Sequence, residues 1–371
     1  MNTDSGEIMD FLPLNKWLPN LKRPLVIAGP CSAESHDQML STAREIAKIP
    51  DVRIFRAGIW KPRTRPNCFE GVGEEGLKWL SDVKAETGLL TTTEVANTQH
   101  VELALKHGVD ILWIGARTTV SPFAVQEIAD ALKGTNIPVM VKNPVNQDLA
   151  LWIGALERIA GSGINKIAAI HRGFSTGDTS KYRNLPLWKI PIELKSKFQD
   201  LPIICDPSHI AGKRDLIAYV CQKAMDADME GLMVETHIDP TKALSDAAQQ
   251  VTPEALGAII EGLSLRTEFG VDRTFEQELD ALRGQVDRVD QEILEALKTR
   301  TEIIKKIGEA KKEKNIMPLQ IQRMDELMKK RIDLGKDLGL TETFVKDIYD
   351  TIHSESVRIQ SQIVNDFDSK K

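Results

Sequence analysis

The chain has 371 residues, 27% of them charged, and its 54 Asp and Glu outnumber its 48 Lys and Arg to leave a net charge of −6. That balance excludes a protein that neutralises a run of nucleic-acid phosphates through a basic stripe, and points to small ligands instead. The length suits one large domain followed by a smaller one. Cysteines 31, 68, 205 and 221 show no paired short spacing, so they build no disulfide framework and fit a reducing cytoplasm. Asp4, Glu7, Asp10 and Lys16 interrupt the apolar residues before Pro24, so the segment has no signal-peptide core, and no later run approaches a membrane span. The expectation is a soluble cytoplasmic protein without a membrane partner.

From residue 25 short apolar runs alternate with helical stretches: LVIAGP (25–30), VRIFRAG (52–58), GLLTTTEV (88–95), ILWIGAR (111–117), PVMVKN (138–143), IAAIHRG (167–173), PIICDPSH (202–209) and GLMVETH (231–237). Each run is nearly all apolar, as parallel strands covered on both faces must be, and each interval has room for a crossover helix. Eight such units predict a (β/α)8 TIM barrel over residues 1–267. A doubly wound open sheet is the alternative, but Gly29-Pro30-Cys31-Ser32 stands where a dinucleotide-binding turn needs its glycines.

After a linker at 268–273 the strands stop, and residues 274–371 read as an all-α domain of three helices. Leu279, Leu282, Val286, Val289, Ile293, Leu297, Ile304 and Ile307 follow a three-four spacing, with no proline between Phe275 and Met317. At 1.5 Å per residue such a helix runs about 60 Å, too long for a small monomeric bundle, so a second copy of the chain is expected against it. Pro318 ends this helix; Gln320 to Lys336 forms a second, and Thr341 caps a third that reaches about Val364.

Cys31, His209, Glu235 and Asp246 fall at or just beyond predicted strand ends, where a barrel gathers its active site. Alone, the cysteine reads as a buried thiol and the histidine as a core residue; one thiolate, one imidazole and two carboxylates together suit a divalent transition ion better than calcium or magnesium. Manganese, iron, cobalt and zinc are equally compatible. The same rim carries Arg56, Lys61, Arg63, Thr64, Arg117, Lys142 and Arg172. Cations gathered at one mouth repel unless anions lie between them, so phosphate or carboxylate substrates are expected, with two clusters implying two of them.

GPCS, KPRT, GAR, the lysine of VKN, HRG, DPSH and the Glu235 to Asp246 pair, in this order, resemble the Iβ-type 3-deoxy-D-arabino-heptulosonate 7-phosphate (DAHP) synthases over residues 20–267. The resemblance implies that Cys31, His209, Glu235 and Asp246 hold the metal. It assigns Arg117, Lys142 and Arg172 to phosphoenolpyruvate, and Arg56, Arg63 and Thr64 to erythrose 4-phosphate, with the catalytic Lys61 between the substrates. Arg65 departs from the family, which has a small polar residue there. The nearest competitor is a 3-deoxy-octulosonate 8-phosphate synthase, which shares barrel and phosphoenolpyruvate but differs in the sugar; KPRT favours the four-carbon aldose.

In the helical part Arg300 and Lys311 lie about three turns apart and project in nearly one direction, whereas Arg283 is rotated away by roughly 100° and set back about 25 Å. Arg283 therefore cannot share their pocket within one chain, but in an antiparallel dimer it can enter the partner's. Gln320 with Arg323 and Ser356 with Gln360 form one-turn pairs. By pattern alone this reads as a charged dimerisation tail. LDALRGQVDRVDQEILEALKTR, IGEAKK, QIQR and SESVRIQ, however, resemble the all-helical chorismate mutases over residues 274–366. That implies a pocket for chorismate and prephenate lined by Arg300, Lys311, Gln320, Arg323, Ser356, Gln360 and the partner's Arg283, within a homodimer or a larger assembly. Lys311 and Gln360 would hydrogen-bond the ether oxygen. Met324 stands where the family has a glutamate, which leaves the contact with the substrate hydroxyl open; Glu326, one turn from Arg323, is a candidate substitute.

Overall fold

A computed structural model describes residues 9–19, 21–61, 69–175, 181–266 and 273–365, apart from the side chains of residues 273, 274, 276, 321 and 322. The chain forms two compact units, Met1–Arg266 and Thr267–Lys371. Eight parallel strands, β1 (Leu25–Gly29), β2 (Val52–Arg56), β3 (Leu90–Val95), β4 (Ile111–Ile114), β5 (Val139–Lys142), β6 (Ile167–His171), β7 (Ile203–Cys205) and β8 (Gly231–Glu235), close into a barrel in chain order. The open-sheet alternative is thereby excluded, because β1 pairs with both β2 and β8.

The period-two alternation of a strand decides what the barrel contains. Leu25 and Ile27, Ile54, Ile111 and Trp113, Met140, Ala168 and Ile170, Ile204 and Met233 point inward and form one cluster. Their neighbours Val26, Ala28, Phe55, Leu112, Val139, Val141, Ile167, Ala169, Ile203 and Val234 point outward into a second, larger cluster under the helices. Trp17 and Leu14, on the short helix Leu14–Trp17, join the inner cluster at its N-terminal end. Continuing the inward rows upward reaches Arg56, Glu94, Lys142, Arg172, Asp206 and Glu235, so a charged layer crowns the apolar ones.

Helix starts are capped where the sequence supplies the right oxygen: Ser35, Asn97, Ser121, Asp148 and Thr252 each accept a hydrogen bond from a first-turn backbone N–H. In the second unit, helices Arg273–Glu313, Ile321–Asp337 and Glu342–Asn365 follow one another. Gly308 lets the first approach the third closely, since a Cβ there would lie 3.0 Å from Ile363 Cδ1. The third meets the second where Val345 packs over Gly335. Leu282, Val286, Val289 and Ile293 on the long helix are exposed. Among the described residues no helix is long and apolar enough to cross a membrane.

Gly29 ends β1 at φ 147°, and a Cβ there would come 2.1 Å from the Arg56 carbonyl oxygen. Gly29→Ala is expected to cost roughly 2 kcal/mol or more and to lower the thermal midpoint by several degrees. An unchanged midpoint would contradict this packing of β1 on β2.

Candidate active site

The register of β1 on β8 sets Gly29 opposite Glu235, so the loop after β1 carries Cys31 to the side chain at the end of β8. Ligand atoms of Cys31, Glu235 and Asp246 lie within 4.8 Å of one another. Asp246 reaches the group from the loop after β8, its Oδ2 3.5 Å from Cys31 Sγ. His209 Nε2 approaches from the other side, 3.8 Å from Glu235 Oε1. Glu235 Oε1 is buried without a hydrogen bond among the described residues. Three acidic ligand groups, a neighbouring imidazole and one orphaned carboxylate oxygen fit a divalent transition ion.

Asp206 Oδ2 lies 2.8 Å from His209 Nδ1 on one side of the ring, and Nε2 faces Glu235 on the other. Burial pushes the Cys31 thiol up to about 11, with Glu235 adding to the rise and Lys61 opposing it. Burial also raises the Glu235 carboxyl, but His209 and Arg56 outweigh it and leave the group below the usual carboxylate range. Asp246 is held near 2, because Arg183 and His209 overcome its desolvation. The carboxylates are therefore charged at neutral pH, whereas the thiol needs a cation to replace its proton.

Two polar links fix the loops that carry these groups. Gln250 accepts a hydrogen bond from the Cys31 backbone N–H at 2.9 Å and donates to the Ser245 carbonyl at 2.8 Å. Gln249 donates to Glu235 Oε2 at 2.7 Å and accepts from Arg183 at 2.6 Å.

Beside this group opens a cavity of about 450 Å3 lined by Lys61, Glu94, Arg117, Lys142, Arg172 and Arg183, with His209 and Asp246 at its edge. Lys61 Nζ lies 3.1 Å from Cys31 Sγ and 3.0 Å from the Cys31 carbonyl oxygen. Lys142 pairs with Asp206 at 2.8 Å, and both are buried. Burial pulls the Arg172 guanidinium down to about 10, with Asp206 opposing the fall, and its Nη1 donates to Asn184 at 2.8 Å. Arg183 donates to Asp246 Oδ1 at 2.9 Å.

Arg56, expected on the rim, lies below it. Its side chain is 1% exposed, set 3.5 Å from Glu235 Oε1 and over the Trp113 ring at 4.8 Å, and it does not line the cavity. The reason is register: Arg56 is the last inward residue of β2, one layer beneath the loop that carries Lys61. Arg63, Thr64 and Arg65 lie outside the described residues.

In the helical unit Arg300, Lys311, Gln320, Arg323, Ser356 and Gln360 line one cavity of about 270 Å3, together with Met324 and His353. Arg300 Nη1 donates to Ser356 Oγ at 2.6 Å, and Lys311 Nζ to the Pro318 carbonyl at 2.7 Å. Burial lowers the pKa of both cations. Gln360 Oε1 is buried without a partner among the described residues. Arg283 is exposed and pairs with Asp280 on its own helix. Glu326 is exposed, pairs with Arg323 at 3.4 Å and does not line the cavity, so it does not replace the glutamate missing at Met324.

Comparison with known proteins agrees with this geometry. Residues 20–267 match the DAHP synthetase I family profile. The chain belongs to the DAHP synthetase I family. Residues 282–361 match chorismate mutase type II, so a synthase barrel and a mutase unit are fused in one enzyme. Phospho-2-dehydro-3-deoxyheptonate aldolase of Thermotoga maritima is 33% identical over 236 residues, covering 64% of this chain and 68% of that protein. The 2-dehydro-3-deoxyphosphooctonate aldolase of Wolinella succinogenes is 28% identical, over 66% of this chain and all of its own. A crystal structure of the Thermotoga maritima DAHP synthase aligns at TM-score 0.58 and 30% identity, over 64% of this chain and 67% of that one. Its truncated form aligns at 0.57 and 27% identity, over 71% and 91%.

Within the synthase barrel, sequence reasoning passed over Asp206, Glu94, Arg183 and the Gln249-Gln250 pair. Asp206 carried a signal, as the acidic residue three before His209 at a strand end. Asp206→Ala is expected to cost about 3–5 kcal/mol, because it leaves Lys142 buried without its counter-charge. The double variant Asp206→Leu with Lys142→Met should recover much of that loss in denaturant unfolding. Additive losses in the double variant would contradict a paired buried charge.

Proposed function

We propose that the barrel condenses phosphoenolpyruvate with erythrose 4-phosphate on a metal held by Cys31, His209, Glu235 and Asp246. The observation that carries this reading is the juxtaposition of that donor set with a cation-lined cavity at one barrel mouth. Bound there, a divalent manganese, iron, cobalt or zinc ion supplies Lewis acidity to the aldehyde oxygen of erythrose 4-phosphate. Arg117, Lys142 and Arg172 hold the carboxylate and phosphate of phosphoenolpyruvate, and Lys61 stands between the two substrates, beside Cys31. Arg63 and Thr64 hold the aldose phosphate, with Arg56 acting from below by fixing Glu235. C3 of phosphoenolpyruvate attacks the aldehyde carbon, water adds at C2, and phosphate leaves, while the fixed cations stabilise the anionic groups throughout.

In the mutase unit Arg300 and Arg323 grip the two carboxylates of chorismate, Gln320 and Ser356 complete the cradle, and Lys311 with Gln360 meet the ether oxygen as charge develops on it. Arg283 serves a second copy of the chain, and the exposed Leu282, Val286, Val289 and Ile293 supply the apolar face such a homodimer buries. Because two steps of aromatic biosynthesis share one chain, we assign the mutase unit an allosteric role as well, its ligand altering the synthase rate in a cytoplasmic enzyme.

Given phosphoenolpyruvate, the enzyme should turn over erythrose 4-phosphate and leave arabinose 5-phosphate essentially unused; the reverse preference would favour the octulosonate reading. Lys61→Met should lower synthase kcat/KM by about 100-fold or more, and Arg300→Ala should do the same to chorismate consumption. Wild-type mutase rates in Arg300→Ala would leave the helices as a dimerisation module. Synthase rates unmoved by prephenate or chorismate would overturn the allosteric role.

A further inference from the structure

Where the cavity of the mutase unit narrows, it meets a second, smaller recess of about 60 Å3 lined by Arg300, Met324, Leu327, Met328, Arg331, Tyr349 and His353. Arg300, Met324, Leu327 and His353 line both spaces, so they form the boundary between them. His353 sits on the third helix, three residues before Ser356 and therefore on the same face. Its Nε2 is buried and has no hydrogen-bond partner among the described residues.

A buried ring nitrogen without a partner is costly unless a ligand completes it. The polar groups around it narrow the choice of ligand atom. Arg300 and Arg331 offer only donors, and Arg331 is turned onto the Tyr349 ring at 5.5 Å from its centroid. Neither guanidinium can accept a proton from a ligand, so of the groups lining this recess Nε2 is the one placed to act as an acceptor.

Chorismate carries two carboxylates, an ether oxygen and one ring hydroxyl. The carboxylates and the ether are acceptors and match the arginines, Lys311 and the amide of Gln360. The hydroxyl is the one group with a proton to give. Met324 offers it no acceptor of comparable strength, and Glu326 lies outside the cavity.

We propose that His353 is a further substrate-positioning residue of the mutase pocket, whose Nε2 accepts a hydrogen bond from the ring hydroxyl of chorismate. The proposal rests on the mutase reading above and deepens it, naming the group that recognises one substituent of the substrate. Paired this way, the hydroxyl fixes the rotation of the ring while the arginines fix its carboxylates.

The test compares chorismate with the analogue in which that hydroxyl is replaced by hydrogen, using the full-length enzyme and its His353→Leu and His353→Gln variants. His353→Leu should lower kcat/KM for chorismate by roughly 5- to 50-fold and change it less than about twofold for the analogue, erasing the preference between them. His353→Gln, whose amide oxygen can accept the same proton, should restore part of that preference. Equal losses on both substrates in His353→Leu would show a packing role and overturn the proposal, as would a preference that survives the substitution. If the unsubstituted enzyme consumes neither compound, the mutase reading itself fails.

Discussion

Charges buried at the top of a closed barrel must be satisfied by one another, and this constraint organises the synthase unit. Lys142 answers Asp206 and Arg56 answers Glu235 in a layer that water scarcely reaches, and Lys61 lies against Cys31 above it. In such a medium an unpaired charge costs several kcal/mol, so each side chain has few places to stand. The layer is thus pre-organised, with Glu235 Oε1 near Arg56 yet without a hydrogen bond among the described residues, where a cation would complete it. Apolar layers below it bring nothing chemical, but they lock the strand register that puts Glu235 opposite Gly29 and Asp206 next to Arg172.

This dependence on register explains what could be seen in the sequence and what could not. The eight strands were legible because parallel strands covered on both faces are near-continuous apolar runs. The strand ends were legible too, since a charge closing such a run marks the barrel mouth, and Lys142, Arg172, His209 and Glu235 were found that way. Arg56 was misplaced for the same reason: the run shows where a strand ends, but only pairing with β1 and β3 shows that its last inward residue lies beneath the rim. Glu94 and Arg183 have partners distant in sequence, Trp113 for one and Asp246 with Gln249 for the other, and no local pattern announces either. Glu326 was the natural substitute by spacing on a helix, but its face of the helix is exposed, whereas His353 gave no signal until the third helix was laid against the first.

The two units hold anions by different means. In the barrel Arg56, Lys142 and Arg172 are buried, and the ligand groups beside them are fixed by two consecutive glutamines, Gln249 on the Glu235 carboxylate and Gln250 on the Cys31 backbone N–H. In the helices Arg300 and Lys311 are half-buried, lean on Ser356 Oγ and the Pro318 carbonyl, and lose basicity through that burial, with Arg331 adding to the fall at Arg300. The first design suits a reaction that must place a metal against an aldehyde. The second suits a rearrangement in which the substrate only has to be folded and its ether oxygen met by donors. Gly308 and Gly335 matter to the second as Gly29 does to the first, by letting backbone approach where a side chain would intervene.

The central claim is that strand-end groups from distant parts of the chain, Cys31 among them, converge on one ion. Titration of the metal-free enzyme with cobalt, followed by absorption, tests it without reference to turnover. A thiolate-to-cobalt charge-transfer band should grow to one equivalent per chain, vanish in Cys31→Ser, and require a higher cobalt concentration in Asp246→Asn. A chain that binds cobalt with no such band, or keeps the band in Cys31→Ser, would contradict the account.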